Sequence, residues 1–332
     1  RTTTIRYTMN RMIDILAELG SRLQGFGSDE HTSHVVTKAI ELNEWFSRED
    51  IIMAVDAIRE EFLCREKLQQ WAAQYSKAPS SAAVAIIMAG NIPLVGFFDL
   101  LCTLMAGHRA AVKPSSKDSV LTNYIISLLR GISPDIPICA FEPELVYDKV
   151  IATGGDEAAR HFRQCYASIP SLIRGSRHSV AVLDGNESED ELQALQSDIF
   201  TYNGLGCRNV SLIFIPEGTV LKLCPPKMGE MYQGTYRHTK AMRTMLGKPY
   251  IDYGECIAVE ESVFSPNISQ INYCHYRSIE QVERWIAEHD TELQCIVSHT
   301  ISHPRAVAFG RAQYPSLADY ADGVDVMKFL TE

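Results

Sequence analysis

The chain has 332 residues, 46% of them apolar and 9% aromatic, which excludes disordered, collagen-like and low-complexity classes. Its formal charge is −10, from 31 basic against 41 acidic residues, and no basic run interrupts it. Such a balance excludes a protein that wraps a phosphate backbone, so no nucleic-acid partner is expected. The length suits two domains, or one large domain with an insertion.

Taken in chain order, residues 8–19 and 32–73 place apolar side chains at three- and four-residue spacing and read as helices. Ser76–Ala82, with Pro79, ends that part. Ala83–Met88 (AVAIIM) then reads as a buried strand, followed by a Gly-Asn-Ile-Pro turn and a helix over 93–106. Ala110–Lys113 is a second strand, and Pro114-Ser115-Ser116 opens a helix to about Leu129. Lys149–Thr153 is a strand ending in Gly154-Gly155, before a helix over 156–167. Ser179–Leu183 is a strand, and Glu187–Tyr202 a helix with an acidic first turn. Strand, turn and helix repeated four times predict an α/β fold with a doubly wound parallel sheet. The loops at Gly90–Asn91, Lys113–Ser116 and Thr153–Gly155 should then face one crevice at the strands' carboxyl ends. Beyond Tyr202 the rhythm is looser: a strand at Val210–Ile215, a helix over 226–246, and short strands around the helix Ile279–Glu288. This later part reads as a separate catalytic half.

The apolar stretch Ile92–Gly107 is shorter than the ~20 residues a bilayer needs and has Asp99 at its middle, so it reads as a buried helix and no membrane span is expected. The nine cysteines are scattered without a C-x-x-C pair, which is neither a zinc pattern nor a disulfide scaffold. They read as reduced, mostly buried thiols of a cytoplasmic protein. His161 and His178 read as surface residues, and His299 and His303 near Pro304 lack the further ligands of a metal site; no metal is expected. Asn-x-Ser triplets at Asn186, Asn209 and Asn267 read as chance matches to a glycosylation pattern.

No Gly-x-x-x-x-Gly-Lys-Ser/Thr occurs, and Gly204-Leu205-Gly206 fails the dinucleotide fingerprint at its third glycine. The segment Asn203-Gly204-Leu205-Gly206-Cys207-Arg208-Asn209 is more informative. Its glycines allow a ligand's close approach to the Cys207 thiol. A helix starting after Cys207 would lower the thiol pKa, with Arg208 adding to the effect. Alone, the same segment fits a tight turn with a buried cysteine.

Six segments in order, IIMAGNIPLVGF, AAVKPSSKDSVL, VIATGGDEAARHF, SVAVLDGNE, YNGLGCRNVS and PSLADYADGVDVMKFL, resemble the LuxC-type acyl-CoA reductases, a branch of the aldehyde dehydrogenase superfamily. The resemblance is strongest over residues 83–215. It implies an aldehyde-dehydrogenase-like fold: residues 1–202 a helical N-terminus and nicotinamide-cofactor domain, 203–310 a second α/β catalytic domain, 311–332 a C-terminal return segment. It places Cys207 at the family's nucleophile and Asn91 at the asparagine that, with the Cys207 backbone N–H, forms the oxyanion hole. Lys113 matches the lysine that holds the adenosine ribose, with Ser115 and Ser116 in the same motif. Thr153, Gly154 and Gly155 match the loop and helix start under the pyrophosphate. Glu261, in a segment one residue longer than the family's, matches the glutamate at the nicotinamide ribose.

Two departures narrow the reading. Ser116 stands where the superfamily has a glutamate that accepts from the ribose hydroxyls, and Lys117 is adjacent, which favours NADPH over NADH. Leu172–Arg177 holds no carboxylate where hydrolytic relatives place their water-activating glutamate. The resemblance thus implies reduction of an acyl-CoA, of a fatty acyl class, to the aldehyde through a thioester on the cysteine. An acyl-carrier-protein donor is equally open. An acyl-supplying partner enzyme and a homo-oligomer go with the family. The alternatives are a CoA-acylating aldehyde dehydrogenase, a cysteine acyltransferase or thioesterase without nicotinamide, and a non-catalytic nucleotide-binding relative.

Overall fold

A computed structural model describes residues 8–76 and 78–332. The chain forms two compact units, Arg1–Ser176 with Ser316–Glu332, and Arg177–Pro315. The first is built on the strands β1 (Ala83–Ile87), β2 (Arg109–Lys113), β3 (Ile138–Ala140), β4 (Lys149–Thr153) and β5 (Ser171–Arg174). They form one parallel sheet in the order β3-β2-β1-β4-β5. The central strands are continuous apolar runs because both of their faces are covered.

On one face lie α1 (Met9–Arg22), α2 (Glu30–Leu42), α3 (Arg48–Ala57), α4 (Arg65–Ala72), α5 (Phe97–Met105) and α6 (Ser119–Ile132). Leu16 and Leu19 of α1, Leu100 and Leu104 of α5 and Ile125 of α6 share a core with Val84 and Ile86. The other face, with Ala85, Ala111 and Val150, is covered by Phe162 of α7 (Asp156–Cys165) and by Tyr147 and Tyr166. The expected helical run over 32–73 is broken at Ser47, whose side chain caps α3 by accepting from Asp50 N–H, and again by a π turn at Ile58–Phe62.

The second unit holds a sheet of β6 (His178–Val182), β7 (Val210–Pro216), β8 (Ile251–Asp252), β9 (Ile257–Glu260), β10 (Gln270–Tyr276), β11 (Leu293–Val297) and β12 (Ala306–Val307). Its order is β12-β11-β6-β7-β10-β9-β8, parallel except for β8 against β9. The helices of this unit are α8 (Glu189–Phe200), α9 (Glu230–Met245) and α10 (Ile279–Glu288). A capping box of Ser188 and Glu191 starts α8. The last helix, α11 (Val326–Thr331), returns to the first unit and buries Val326, Met327 and Leu330 in its core.

The α/β class is as expected, but the four strand–helix repeats do not share a sheet. β6 pairs with β7 and β11, so the fourth repeat belongs to the second sheet. The first unit therefore ends at Ser176 rather than at residue 202, and the return begins at Ser316 rather than at 311. The short strands β3 and β5 had no expectation in the sequence. All nine cysteines are free, and only Cys102, Cys256 and Cys295 are buried, fewer than expected.

The apolar stretch that mimics a membrane span is α5 with its entry turn, and no helix among the described residues is long and apolar enough to cross a membrane. Asp99 is tolerated there because Arg174, at the end of β5, meets it at 2.7 Å, with both side chains only 7% exposed. Removing one partner of a buried pair strands the other charge. Asp99→Leu is expected to cost about 3–5 kcal/mol, and Asp99→Leu/Arg174→Met to recover most of that loss. Urea denaturation of the three chains measures both numbers.

Candidate functional site

In the second unit the chain leaves α8 through a turn, Thr201–Gly204, in which Tyr202 and Asn203 both have φ of 55° and Gly204 has φ of 70°. Left-handed backbone costs a residue with a side chain about 1–2 kcal/mol. What repays this cost is Asn209, a buried residue. Its amide nitrogen donates to the carbonyls of Asp198, Ile199 and Thr201, at 3.3, 3.1 and 2.8 Å. Its amide oxygen accepts from Gly206 N–H at 2.8 Å. One side chain thus ties the end of α8 to the turn that carries Cys207.

Cys207 is half-buried on that turn. Its carbonyl accepts from Ser179 Oγ at 2.9 Å, and the same hydroxyl oxygen accepts from Cys295 N–H at 3.1 Å. Ser179 is fully buried, so the hydroxyl fastens the turn to the entry end of the sheet. Beneath it the buried carboxylate of Asp198 accepts from the N–H groups of Gly310 (2.7 Å) and Ala312 (2.9 Å), while Arg208 Nε donates to the Ala312 carbonyl. Burial pushes the Asp198 carboxyl up to about 6, against the pull of the two N–H donors and of Arg208. No helix begins at Cys207. β7 starts three residues later, so the expected helix-terminus effect on the thiol does not operate, and Arg208 is directed to Ala312.

Glu261 follows β9, level with Tyr273, whose carbonyl accepts from Glu261 N–H at 3.0 Å. Tyr273 pairs with Ile213, three residues into β7 or roughly 10 Å along it. The Glu261 carboxylate is held by both terminal nitrogens of Arg243 at 3.1 Å, and it lines a cavity of about 470 Å³ with Glu260, Tyr273 and Cys274. The structure does not bring Glu261 to Cys207. From the same segment it is Phe264 that reaches the entry edge, stacked on His178 with ring centres 4.4 Å apart. His178 is accordingly half-buried, not the surface residue expected, while His161 is exposed.

In the first unit the register puts Ile87 opposite both Lys113 and Ala152, so the three expected loops leave one carboxyl edge together. Gly90 is buried, and a Cβ there would collide with the Ser115 side chain. The turn beyond it presents Asn91 on the surface and passes through Leu94, at φ of 56°. Lys113 is exposed at the end of β2, its ammonium 5.7 Å from the Phe141 ring centre. Ser115 Oγ accepts from Lys117 N–H at 3.2 Å, and Ser116 and Lys117 are exposed. Thr153 Oγ1 lies 3.4 Å from Arg174 Nη1. Gly154 packs so closely on α7 that a Cβ would stand 2.9 Å from that of Ala158. Gly155 starts α7 with no side-chain cap and has nothing within 4 Å of where its Cβ would be. The open approach to uncapped helical N–H groups fits the phosphates of a dinucleotide.

Asn91, Lys113, Ser115, Ser116, Thr153, Gly154 and Gly155 therefore share one sheet edge, while Cys207 and Glu261 belong to the other unit. Sequence reasoning missed the residues that hold the thiol. Asn209 lay within the Cys207 segment and in a glycosylation triplet, but nothing in the sequence marked it as the residue that holds the turn. It also missed a cluster in which single ligand atoms of Asp184, Glu187 and His299 lie within 4.8 Å of one another. Both His299 nitrogens face carboxylates, Glu191 at 2.9 Å and Asp184 at 3.2 Å. Hydrogen bonds to these two carboxylates raise its pKa.

Comparison with known proteins adds three findings. The family model for acyl-CoA reductase (LuxC) matches residues 26–223. A long-chain acyl-protein thioester reductase of Aliivibrio fischeri is 24% identical over 40% of this chain and 32% of its own length. Long-chain acyl-protein thioester reductase 2 of Photobacterium leiognathi is 22% identical over 48% of this chain and 38% of its own. The matches thus span about a third of the length of those relatives. Among solved structures, aldehyde dehydrogenase 21 of Physcomitrella patens superposes with a TM-score of 0.69 over 99% of this chain and 84% of that one, at 10% identity. An oxidoreductase of Marinobacter aquaeolei gives 0.66 over 94% and 80%, at 12% identity. The fold is that of the aldehyde dehydrogenases.

Asp198 makes the held turn testable. Its pKa rises from about 3.8 to about 6 on folding, so the folded state keeps the proton more tightly between those values. That stabilisation is complete below about pH 3.8 and is lost as the pH rises through 6, on the order of 3 kcal/mol. Thermal melts from pH 4 to 7 should fall more steeply for the wild type than for Asp198→Asn.

Proposed function

Because the chain belongs to the acyl-CoA reductase (LuxC) family, we propose that it reduces a fatty acyl thioester to the aldehyde through a thioester on Cys207. The observation that carries the reading is the Cys207 turn: a half-exposed thiol on a strained backbone held by Asn209 and Ser179. A thiol meant only for packing needs no such scaffold.

In this reading the Cys207 sulfur attacks the carbonyl carbon of the incoming thioester and the donor thiol leaves, so one thioester replaces another. Asn91 and the Cys207 N–H donate to the oxyanion of the tetrahedral stage. A bound nicotinamide supplies the hydride that takes the acyl group to the aldehyde oxidation level. Lys113 and Ser115 hold its adenosine ribose, and Thr153, Gly154 and Gly155 hold its pyrophosphate. The exposed Ser116 and Lys117 leave room and charge for a 2′-phosphate, which supports NADPH. Glu261, whose Oε1 accepts from Arg243, is the residue the family likeness assigns to the nicotinamide ribose.

The segment Leu172–Arg177 supplies no carboxylate, and its Arg174 is buried against Asp99. Nothing on it activates water, so the acyl group is kept for reduction rather than hydrolysis. The names of the two relatives favour an acylated protein as donor beside acyl-CoA. An acyl-supplying enzyme is then the partner, and the reverse, CoA-acylating direction uses the same residues.

The test is NADPH absorbance with long-chain acyl thioesters. Cys207→Ala should abolish thioester-dependent consumption, and Asn91→Ala should lower kcat by about 10²–10³. No consumption by folded wild type with any acyl thioester would reject the reading. Ser116→Glu should raise KM for NADPH about tenfold or more while leaving KM for NADH within about threefold, by charge repulsion of the 2′-phosphate.

A further inference from the structure

Asp118 is an oddity at the start of α6. Aspartate is a favoured helix-capping residue, and losing such a cap costs about 1 kcal/mol. Yet the Asp118 side chain makes no capping bond to its own helix. It turns away to accept from Leu94 N–H at 2.8 Å, through Oδ2, 24 residues back along the chain. Its other oxygen is buried without a hydrogen-bond partner among the described residues, and the residue is 3% exposed. The position is therefore costly twice over: a cap forgone and a carboxyl buried. Burial pushes that carboxyl up to about 7, against the pull of the Leu94 N–H.

The bond lands where the chain most needs support. Leu94 is left-handed, with φ of 56°, and it closes the turn that begins at Gly90 and presents Asn91. The other end of that turn is pressed onto the same neighbourhood. A Cβ on Gly90 would collide with Ser115 and stand 3.2 Å from Asp118 Cβ. A further, looser tie runs from Asn43 Nδ2 to the Gly90 carbonyl, at 3.4 Å.

We propose that Asp118 is the positioning residue of the Asn91 turn: by fixing Leu94 N–H it sets where the Asn91 amide stands, and so governs oxyanion stabilisation without touching substrate. The inference rests on the oxyanion reading of Asn91. Displacement of a donor by as little as 1 Å is enough for a large loss of rate.

A double-mutant cycle separates this role from a merely structural one. Asp118→Ser keeps a capping residue on α6 but is too short to reach Leu94, and Asp118→Asn keeps an acceptor oxygen for it. With the intact chain, acyl-thioester reduction would be measured for the wild type, Asn91→Ala, Asp118→Ser, the double variant and Asp118→Asn. Near-ultraviolet circular dichroism checks the fold of each. Asp118→Ser is expected to lower kcat about tenfold or more in the wild type and less than about threefold in Asn91→Ala, with KM for NADPH unchanged. Asp118→Asn should stay within about threefold of the wild type. Equal losses in the two backgrounds would overturn the positioning role while leaving Asn91 in place. Should Asp118→Ser fail to fold, Asp118→Ala takes its place in the same cycle, and equal losses in the two backgrounds again overturn the proposal. A full rate in Asn91→Ala would remove the oxyanion reading and the proposal with it.

Discussion

A reactive thiol has to be exposed enough to meet its substrate and rigid enough to meet it in one orientation. If Cys207 is the nucleophile proposed above, one buried amide, that of Asn209, settles the conflict. The Cys207 turn contains two left-handed residues with side chains, a conformation that relaxes unless something fixes it. Asn209 supplies three donor contacts and one acceptor contact to backbone groups at the end of α8 and in the turn. Asp198 and Ser179 extend the same logic to Gly310, Ala312 and the neighbouring strand.

The two sheets serve their sites differently. In the first, the parallel register brings the loops after β1, β2 and β4 to one carboxyl edge, where glycines at 90 and 154 allow close packing and Gly155 leaves open space. In the second, the cysteine precedes its strand, so it stands at the entry edge. There the strand fixes the residues after the thiol, and the turn in front of it depends on side-chain hydrogen bonds.

The strands of five or more residues in the first part of the chain were legible because burial on both faces writes an apolar run. β5 was not, since Ser171 and Arg174 leave it only two apolar residues, and three-residue β3 carries no period. The boundary between units was misplaced for a physical reason. Strand–helix rhythm records that a strand exists but not which sheet it joins, and β6 is claimed by β7 and by β11, far along the chain. The site divides the same way. The Cys207 segment and the three loops could be picked out from glycines and strand–turn–helix rhythm, but their roles came only through ordered resemblance to a family. Asn209, Ser179, Asp198 and Asp118 are ordinary polar letters until the structure shows each buried and bonded. The expectation for Glu261 rested on a segment one residue too long; in that segment Phe264 stacks on His178 and Glu261 accepts from Arg243.

Electrostatics completes the account. On the proposed reading, the Leu172–Arg177 segment offers no carboxylate to activate water, and its Arg174 is committed to Asp99. The acyl-enzyme should therefore outlive its formation when no hydride donor is present. The most direct measurement is mass spectrometry of the protein incubated with a long-chain acyl-CoA and no nicotinamide. An acyl adduct on the peptide containing Cys207, discharged on adding NADPH, is the result the account requires. An unmodified Cys207 peptide, or acylation confined to the exposed Cys165 and Cys224, would contradict it.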